Sequence, residues 1–271
     1  MVRSLWTAAT GMIAQQVNLD TIANNLSNVN THGYKTQVNE FKTLLYQTLQ
    51  TKTTTANGDQ KPTSAQVGLG VRNSAITTIF KTGNMIASER ETSFAIDGKG
   101  FFAVRGRDGN IYYTRNGNLQ FTLGANGNML SNSEGLPVLD SAGNPIILDE
   151  SYILSEVKVS ADGQLCYPDE LNNPQPIGIT IGLFQFNNPN GLERLADTLY
   201  GQTAASGQPI NEATNPGVEP SKVIQGYLEG SNVQVADEMV NMIVAQRAYE
   251  LNSKAIIASD EMLQQANNLR R

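Results

Sequence analysis

Residues 235–269 read VADEMVNMIVAQRAYELNSKAIIASDEMLQQANNL, and the spacing inside that stretch decides the fold. Val235, Met239, Met242, Gln246, Tyr249, Ser253, Ile256, Asp260 and Leu263 fall at alternating steps of four and three. That alternation keeps one strip of a helix turned toward a partner helix. Val240, Ile243 and Ile257 widen the apolar face, and neither Pro nor Gly interrupts it. At ~1.5 Å per residue the helix is on the order of 50 Å long, more than a compact domain needs. Gln246, Ser253 and Asp260 place polar groups on the strip, so it holds poorly alone.

The other end of the chain supplies a partner. Leu5, Ala9, Met12, Gln16, Leu19, Ala23 and Leu26 repeat the alternation, Trp6, Ile13 and Ile22 widen the face, and only Gly11 interrupts the run from Ser4 to Asn28. A fully buried Leu or Met contributes roughly 1.5–3 kcal/mol. Ordering the backbone costs ~1–2 kcal/mol per residue, so a strip with this many weak positions barely offsets it. The spacing predicts that the terminal helices pair as a coiled coil and become well ordered when further copies cover their other faces. An ordinary domain whose first and last helices pack together satisfies the same periodicity.

Composition narrows the function classes. The chain has 271 residues, a formal net charge of −6 and no clustered Lys/Arg tract, which argues against nucleic acid. Cys166 is alone, so an intrachain disulfide and a thiolate metal cluster are both excluded. No run approaches the ~18 apolar residues of a membrane span. The N-terminus has Arg3 but no continuous apolar region and no small-residue cleavage site. The expectation is a cytoplasmic chain, or one exported by a route that uses no cleavable signal.

The first helix is expected to end in Asn24-Asn25-Leu26-Ser27-Asn28, with Gly33 as its stop. Val38, Phe41, Leu44, Leu45 and Leu49 mark a short helix or an extended return, and Thr51 to Gln66 reads as a Thr-rich loop. The period then changes. Asp97-Gly98, Asp108-Gly109, Asn116-Gly117, Asn126-Gly127 and Asp162-Gly163 punctuate β-rich runs such as Phe101-Phe102-Ala103-Val104 and Ile111-Tyr112-Tyr113-Thr114. Such dipeptides adopt the positive φ angles of tight hairpin turns, and their spacing is that of an all-β module. The reading is α+β: residues 1–33 an N-terminal helix, 34–92 a connecting segment, 93–186 a β-rich domain, 187–233 a return segment with little regular structure, and 234–271 a C-terminal helix. Ser231 or Asn232 is available to cap that last helix.

Catalytic patterns are weak. Ser155-Glu156-Val157-Lys158 and Lys81-Thr82-Gly83 match two elements of the penicillin-binding enzymes, but in reversed order, without the third, and with the serine in a predicted strand. Gly98-Lys99-Gly100 lacks the third glycine and the helix of a dinucleotide loop. His32 is the only histidine, beside Gly33 in a turn, with no second histidine to share a metal. No enzyme, no cofactor and no metal site is expected.

These residues carry a resemblance. Ile22 to Tyr34, including Asn24, Asn25, Asn28, Gly33 and Tyr34, resembles the N-terminal signature of the bacterial flagellar rod, hook and hook-associated axial proteins. Gln225 to Val233, Val240 to Ile243, and Gln246-Arg247-Ala248-Tyr249-Glu250 are similar to the C-terminal signature of that family. Gly98-Lys99-Gly100-Phe101-Phe102, Tyr113-Thr114-Arg115-Asn116-Gly117 and Gly127-Asn128-Met129-Leu130 look like its β domain. The resemblance covers nearly the whole chain. Within the family, Met1 to Gln16 and Leu44 to Thr48 look most like a rod member, and the Thr-rich loop falls where an insertion separates rod from hook.

The resemblance implies a mechanical part, exported through the flagellar export apparatus and polymerised into a hollow shaft that passes motor torque to the hook for motility. The paired helices would form the inner tube and the β domain the outer layer. The shaft would meet other rod proteins and the hook protein at its ends, and bushing ring proteins where an outer membrane is present, without insertion into a membrane. The Thr-rich loop would wedge between neighbours. Self-assembly is expected to rest on Leu5, Met12, Leu19, Leu26, Val235, Met239, Met242, Tyr249, Ile256 and Leu263. The alternatives are a sister rod or short hook protein of the same family and, from another class, a binding module or hydrolase built on the β domain.

Overall fold

A computed structural model describes residues 2–50, 65–124, 127–149, 151–169, 173–196 and 198–268. The architecture is α+β, with two long terminal helices in contact and β-sheets between them in sequence. The chain forms two compact units: Met1–Ser27, Gln37–Thr78 and Gln234–Arg271 make the first, Asn28–Thr36 and Ile79–Val233 the second. Of the Thr-rich loop expected over residues 51–66, residues 51–64, and with them the expected wedge, lie outside the described residues, while Ala65 and Gln66 open the strand Ala65–Gly68.

In the first unit, helix α1 spans Val2–Ser27 and helix α2 spans Val235–Asn268. They run antiparallel: Ser4 near the start of α1 meets Ser259 near the end of α2, with their hydroxyl oxygens 3.3 Å apart. Helix α1 stops at Ser27, six residues short of Gly33, because the Asn-rich turn that follows belongs to the second unit. The segment after it is extended rather than helical. Gln37–Thr43 pairs antiparallel with Val71–Thr78 through a bulge at Glu40/Phe41, and Tyr46–Gln50 pairs with Ala65–Gly68. These two-stranded ribbons leave Phe41, Leu45, Tyr46 and Leu49 exposed.

The second unit is all β. Its main sheet runs in the order Glu193–Arg194, Leu199–Gly201, Ile111–Thr114, Phe101–Arg105, Leu183–Gln185, Ile210–Asn211, with every neighbouring pair antiparallel. Side chains alternate across a strand, so Phe102 and Val104 enter one core with Leu130, Val138 and Leu148. Phe101 and Ala103 enter another with Tyr113, Phe186 and Tyr200. Both faces of this strand are covered, which is why it reads as an unbroken apolar run. Three of the sheet's six strands come from residues 193–211, so the return segment is more ordered than its Pro and Gly content suggests. Of the five expected turn glycines, Gly98, Gly109, Gly127 and Gly163 take positive φ; Gly117 does not.

Candidate self-assembly surface and buried charge cluster

The strip where α1 meets α2 has the predicted spacing but a different phase. On α2 the buried residues are Glu238, Ala245 and Ser259, at multiples of seven, and Asn252 falls in the same series. On α1 the matching series is Ser4, Gly11, Asn18 and Asn25. A Cβ built on Gly11 would stand 2.9 Å from Nδ2 of Asn252, so the absence of a side chain there lets the helices approach. The residues at this seam are small or polar, not the large apolar ones.

The sequence-derived strip therefore divides. Leu5, Met12, Leu19 and Leu26 on α1, and Met242, Ile256 and Leu263 on α2, are half-buried at the margins of the contact. Val235, Met239 and Tyr249 are exposed; Met239 lies one residue out of phase with the seam, while Val235 and Tyr249 share the seven-residue series of Met242, Ile256 and Leu263. The large apolar side chains are also outward: Trp6 is 67% exposed and Leu251 66%, and Ile13, Val240, Ile243, Val244, Ile257 and Met262 are each at least half exposed. So many large apolar side chains left exposed on two helices mark a candidate interaction surface.

The second unit holds a feature that periodicity does not reveal. Glu229, on strand Tyr227–Glu229, is fully buried between two cations. Its Oε1 accepts from Lys35 Nζ at 2.5 Å and from the Gly83 amide at 3.0 Å, and its Oε2 lies 3.4 Å from Arg115 Nη1. Lys35 Nζ also donates to the Lys81 carbonyl at 2.8 Å. Arg115 donates to the Gly98 carbonyl at 2.8 Å, and its guanidinium lies 4.9 Å from the centre of the Phe101 ring. Burial holds the Lys35 ammonium below the usual lysine range, with Glu229 opposing the shift. Burial likewise lowers Arg115, again against Glu229.

The backbone around the cluster is tied by the same segments. The Gly33 amide donates to the Glu229 carbonyl at 2.8 Å, and Asn232 Oδ1 accepts from the Thr36 amide at 2.7 Å. Asn232 Nδ2 donates to the carbonyls of Ile79 and Lys81. Asn232 is thus occupied in the second unit, and α2 starts at Val235 with the Glu238 amide donating to the Gln234 carbonyl. Gly33 has φ +72°, and a Cβ there would stand 2.6 Å from the Arg115–Asn116 backbone. Only glycine fits that position.

The motif residues fall into three groups. Gly33 and Tyr34 are buried in the second unit next to Lys35. Asn25 is buried in the first unit, where its amide bridges Gln37 by donating to the carbonyl at 2.8 Å and accepting from the N–H at 2.9 Å. Asn24, Gln246, Arg247 and Tyr249 are exposed, Asn28 is half-buried, and Arg247 makes an ion pair with Glu250 at 2.9 Å. Arg115, Glu229 and Asn232 lie inside the family motifs, and that shared membership was the signal available for them; Lys35 directly follows the first motif. Among the described residues no helix is long and apolar enough to cross a membrane, and no group of three or more His, Cys, Asp or Glu side chains could hold a metal.

Comparison with known proteins matches these same segments. The profile of the flagella basal body rod protein family matches residues 5–35, that of the flagellar hook protein FlgE/F/G D1 domain residues 95–167, and that of the flagellar basal body rod FlgEFG protein C-terminal region residues 224–269. The chain is 45% identical over 274 positions to the flagellar basal-body rod protein FlgG of Borreliella burgdorferi, covering 100% of both. Against FlgG of Buchnera aphidicola (subsp. Schizaphis graminum) it is 42% identical, covering 99% of this chain and 100% of that one. Identity to the hook-basal body complex protein FlhP of Bacillus subtilis is 32%, covering 100% of both, and to FlgG of the same organism 36%, again covering 100% of both. With this similarity along its whole length, the chain belongs to the FlgG family of flagellar basal-body rod proteins, the non-enzymatic structural subunits of the distal rod.

Proposed function

We propose that copies of this chain polymerise into a helical tube through the outward apolar faces of α1 and α2, and that the tube carries motor torque to the hook. The observation that carries this reading is the inversion of the helix pair. Small and polar residues meet within one chain, while Trp6, Ile13, Leu251 and Ile257 are left for another. A patch on one side that fits a different patch on the next copy is a heterologous contact, and a rotation that does not close gives a filament. Val235, Met239 and Tyr249 belong to the outward face in this reading. Leu5, Met12, Leu19, Leu26, Met242, Ile256 and Leu263 serve both the pair and its neighbours. Other rod proteins and the hook protein would cap the tube, with ring proteins around it where an outer membrane is present. The export apparatus would deliver the chain unfolded.

Leu251→Asp tests this more cleanly than Leu19→Asp or Ile256→Asp, because Leu19 and Ile256 also touch the intrachain seam. Covering the exposed part of one leucine contributes about 1–2 kcal/mol. Burying an unpaired carboxylate in its place costs several kcal/mol more, and the penalty recurs at every subunit. The variant should stay monomeric by sedimentation and electron microscopy at concentrations where the parent forms tubes, with an unchanged near-ultraviolet spectrum from the β unit. Tubes formed at the parent concentration would overturn the reading.

A further inference from the structure

In the first unit, α1, α2 and strand Gln37–Thr43 border a half-open cavity of about 310 Å³ lined by Gln15, Asn18, Thr21, Asn39, Glu238 and Asn241 among others. That volume exceeds by far the ~30 Å³ share of a single water. Two acceptors in its wall are unsatisfied. Glu238 is 8% exposed and Asn39 7%, and neither Glu238 Oε2 nor Asn39 Oδ1 has a hydrogen-bond partner. A buried acceptor left unmade costs about 1–3 kcal/mol, more when it is charged. Among the described residues no cation pairs with Glu238. Asn25 of the same chain already hydrogen-bonds to the Glu238 carboxyl, so what remains open is its second oxygen, Oε2, beside Asn39 Oδ1.

We propose that the cavity receives the guanidinium of Arg247 from a second copy of this chain. Arg247 is nine residues along α2 from Glu238; at about 100° per residue it projects from the opposite side of the helix and cannot turn back into its own cavity. Its side chain is 73% exposed and holds only the i,i+3 pair with Glu250, worth a few tenths of a kcal/mol and easily exchanged. A planar fork of N–H donors suits a carboxylate oxygen beside an amide oxygen better than a lysine ammonium does. A receptor on one side of α2 and a ligand on the other also form the heterologous, repeating contact that a tube requires.

This inference rests on the polymer reading, and its test separates the two. The full-length chain is polymerised as Glu238→Gln, Arg247→Gln, the double variant, and Lys254→Gln as an exposed control on α2. Each of the first two should raise the critical concentration at least about tenfold. The double variant should be no worse than the poorer single, Lys254→Gln should match the parent, and monomer helix content should not change. A second set keeps both partners: Asn241→Cys with Glu250→Cys in a Cys166→Ser background should give, on oxidation, a ladder of covalent multimers from the polymer alone. Additive effects of Glu238→Gln and Arg247→Gln, a Lys254→Gln defect equal to theirs, or polymer without a ladder would overturn the contact while leaving the tube. A parent chain that does not polymerise would overturn both.

Discussion

Glu229→Gln isolates what the buried cluster contributes. Glutamine keeps the shape of the side chain and an oxygen for the Gly83 amide and the Lys35 ammonium, so the loss is mainly of charge. It leaves Lys35 and Arg115 buried together without an anion. Removing one partner of a buried pair costs about 3–5 kcal/mol, and the upper end applies where one carboxylate serves two cations. A domain's whole stability is about 5–15 kcal/mol, so the β unit of the variant should sit close to unfolding. Urea titration followed by the tyrosine near-ultraviolet signal measures the difference. The pH dependence separates charge from packing. Lys35 has a lowered pKa in the fold, so the unfolded chain binds its proton more tightly and stability rises with pH until the ordinary lysine value of 10.5 is reached. Loss of Glu229 lowers Lys35 further, which opens that window at a lower pH. The deficit of the variant should be largest near neutrality and shrink toward pH 10. A loss below about 1 kcal/mol, or one that is the same at both pH values, would refute the electrostatic account.

The tyrosines act in the opposite direction. Burial pushes Tyr113 and Tyr200 up to about 12 from 10.0, so the unfolded chain releases those protons first. Stability should fall between pH 10 and 12 by up to about 2 kcal/mol for each ring, and a flat guanidinium midpoint over that range would contradict it. Gly33→Ala adds a Cβ 2.6 Å from backbone atoms at a φ of +72° and should cost at least about 2 kcal/mol in thermal unfolding of the β unit. Asn25→Ala leaves the N–H and C=O of Gln37 without their side-chain partner. About 2 kcal/mol should be lost locally, seen as faster hydrogen exchange at the Gln37 amide, and unchanged protection would count against the bridge.

The elements were legible because their periods differ so sharply. Residues 235–268 alternate by fours and threes and fold as one helix, while the doubled Phe101-Phe102 in a short apolar run announces a strand covered on both sides. The phase of the helix pair was harder to read. Helix α2 carries apolar residues on most of its circumference, so a four–three strip can be drawn through Met239 or, one residue earlier, through Glu238. Size would have decided between them, since a close antiparallel contact takes the serines, glycine and asparagines at steps of seven. The charge cluster was harder still: Lys35 and Glu229 are 194 residues apart, and nothing local says that a lysine after Gly33-Tyr34 will be buried.

The two units divide the work along this line. The β unit closes its cores and gives its central carboxylate two cations, although Arg115 Nε, His32 Nδ1 and Ser160 Oγ have no hydrogen-bond partner there. The segments that lead out of α1 and into α2 are bonded to each other there, Gly33 to Glu229 and Thr36 to Asn232. The helical unit is unfinished on two counts, an apolar face without cover and a cavity whose acceptors lack a donor. These deficits act differently on assembly. Apolar cover is non-directional and drives copies together, whereas a buried carboxylate that accepts one fork in one position penalises every other register. A shaft under torque needs both. The first resists separation and the second resists slip, so loss of Arg247 should leave a polymer that forms at higher concentration and is less regular in its helical order, whereas loss of Leu251 should leave none.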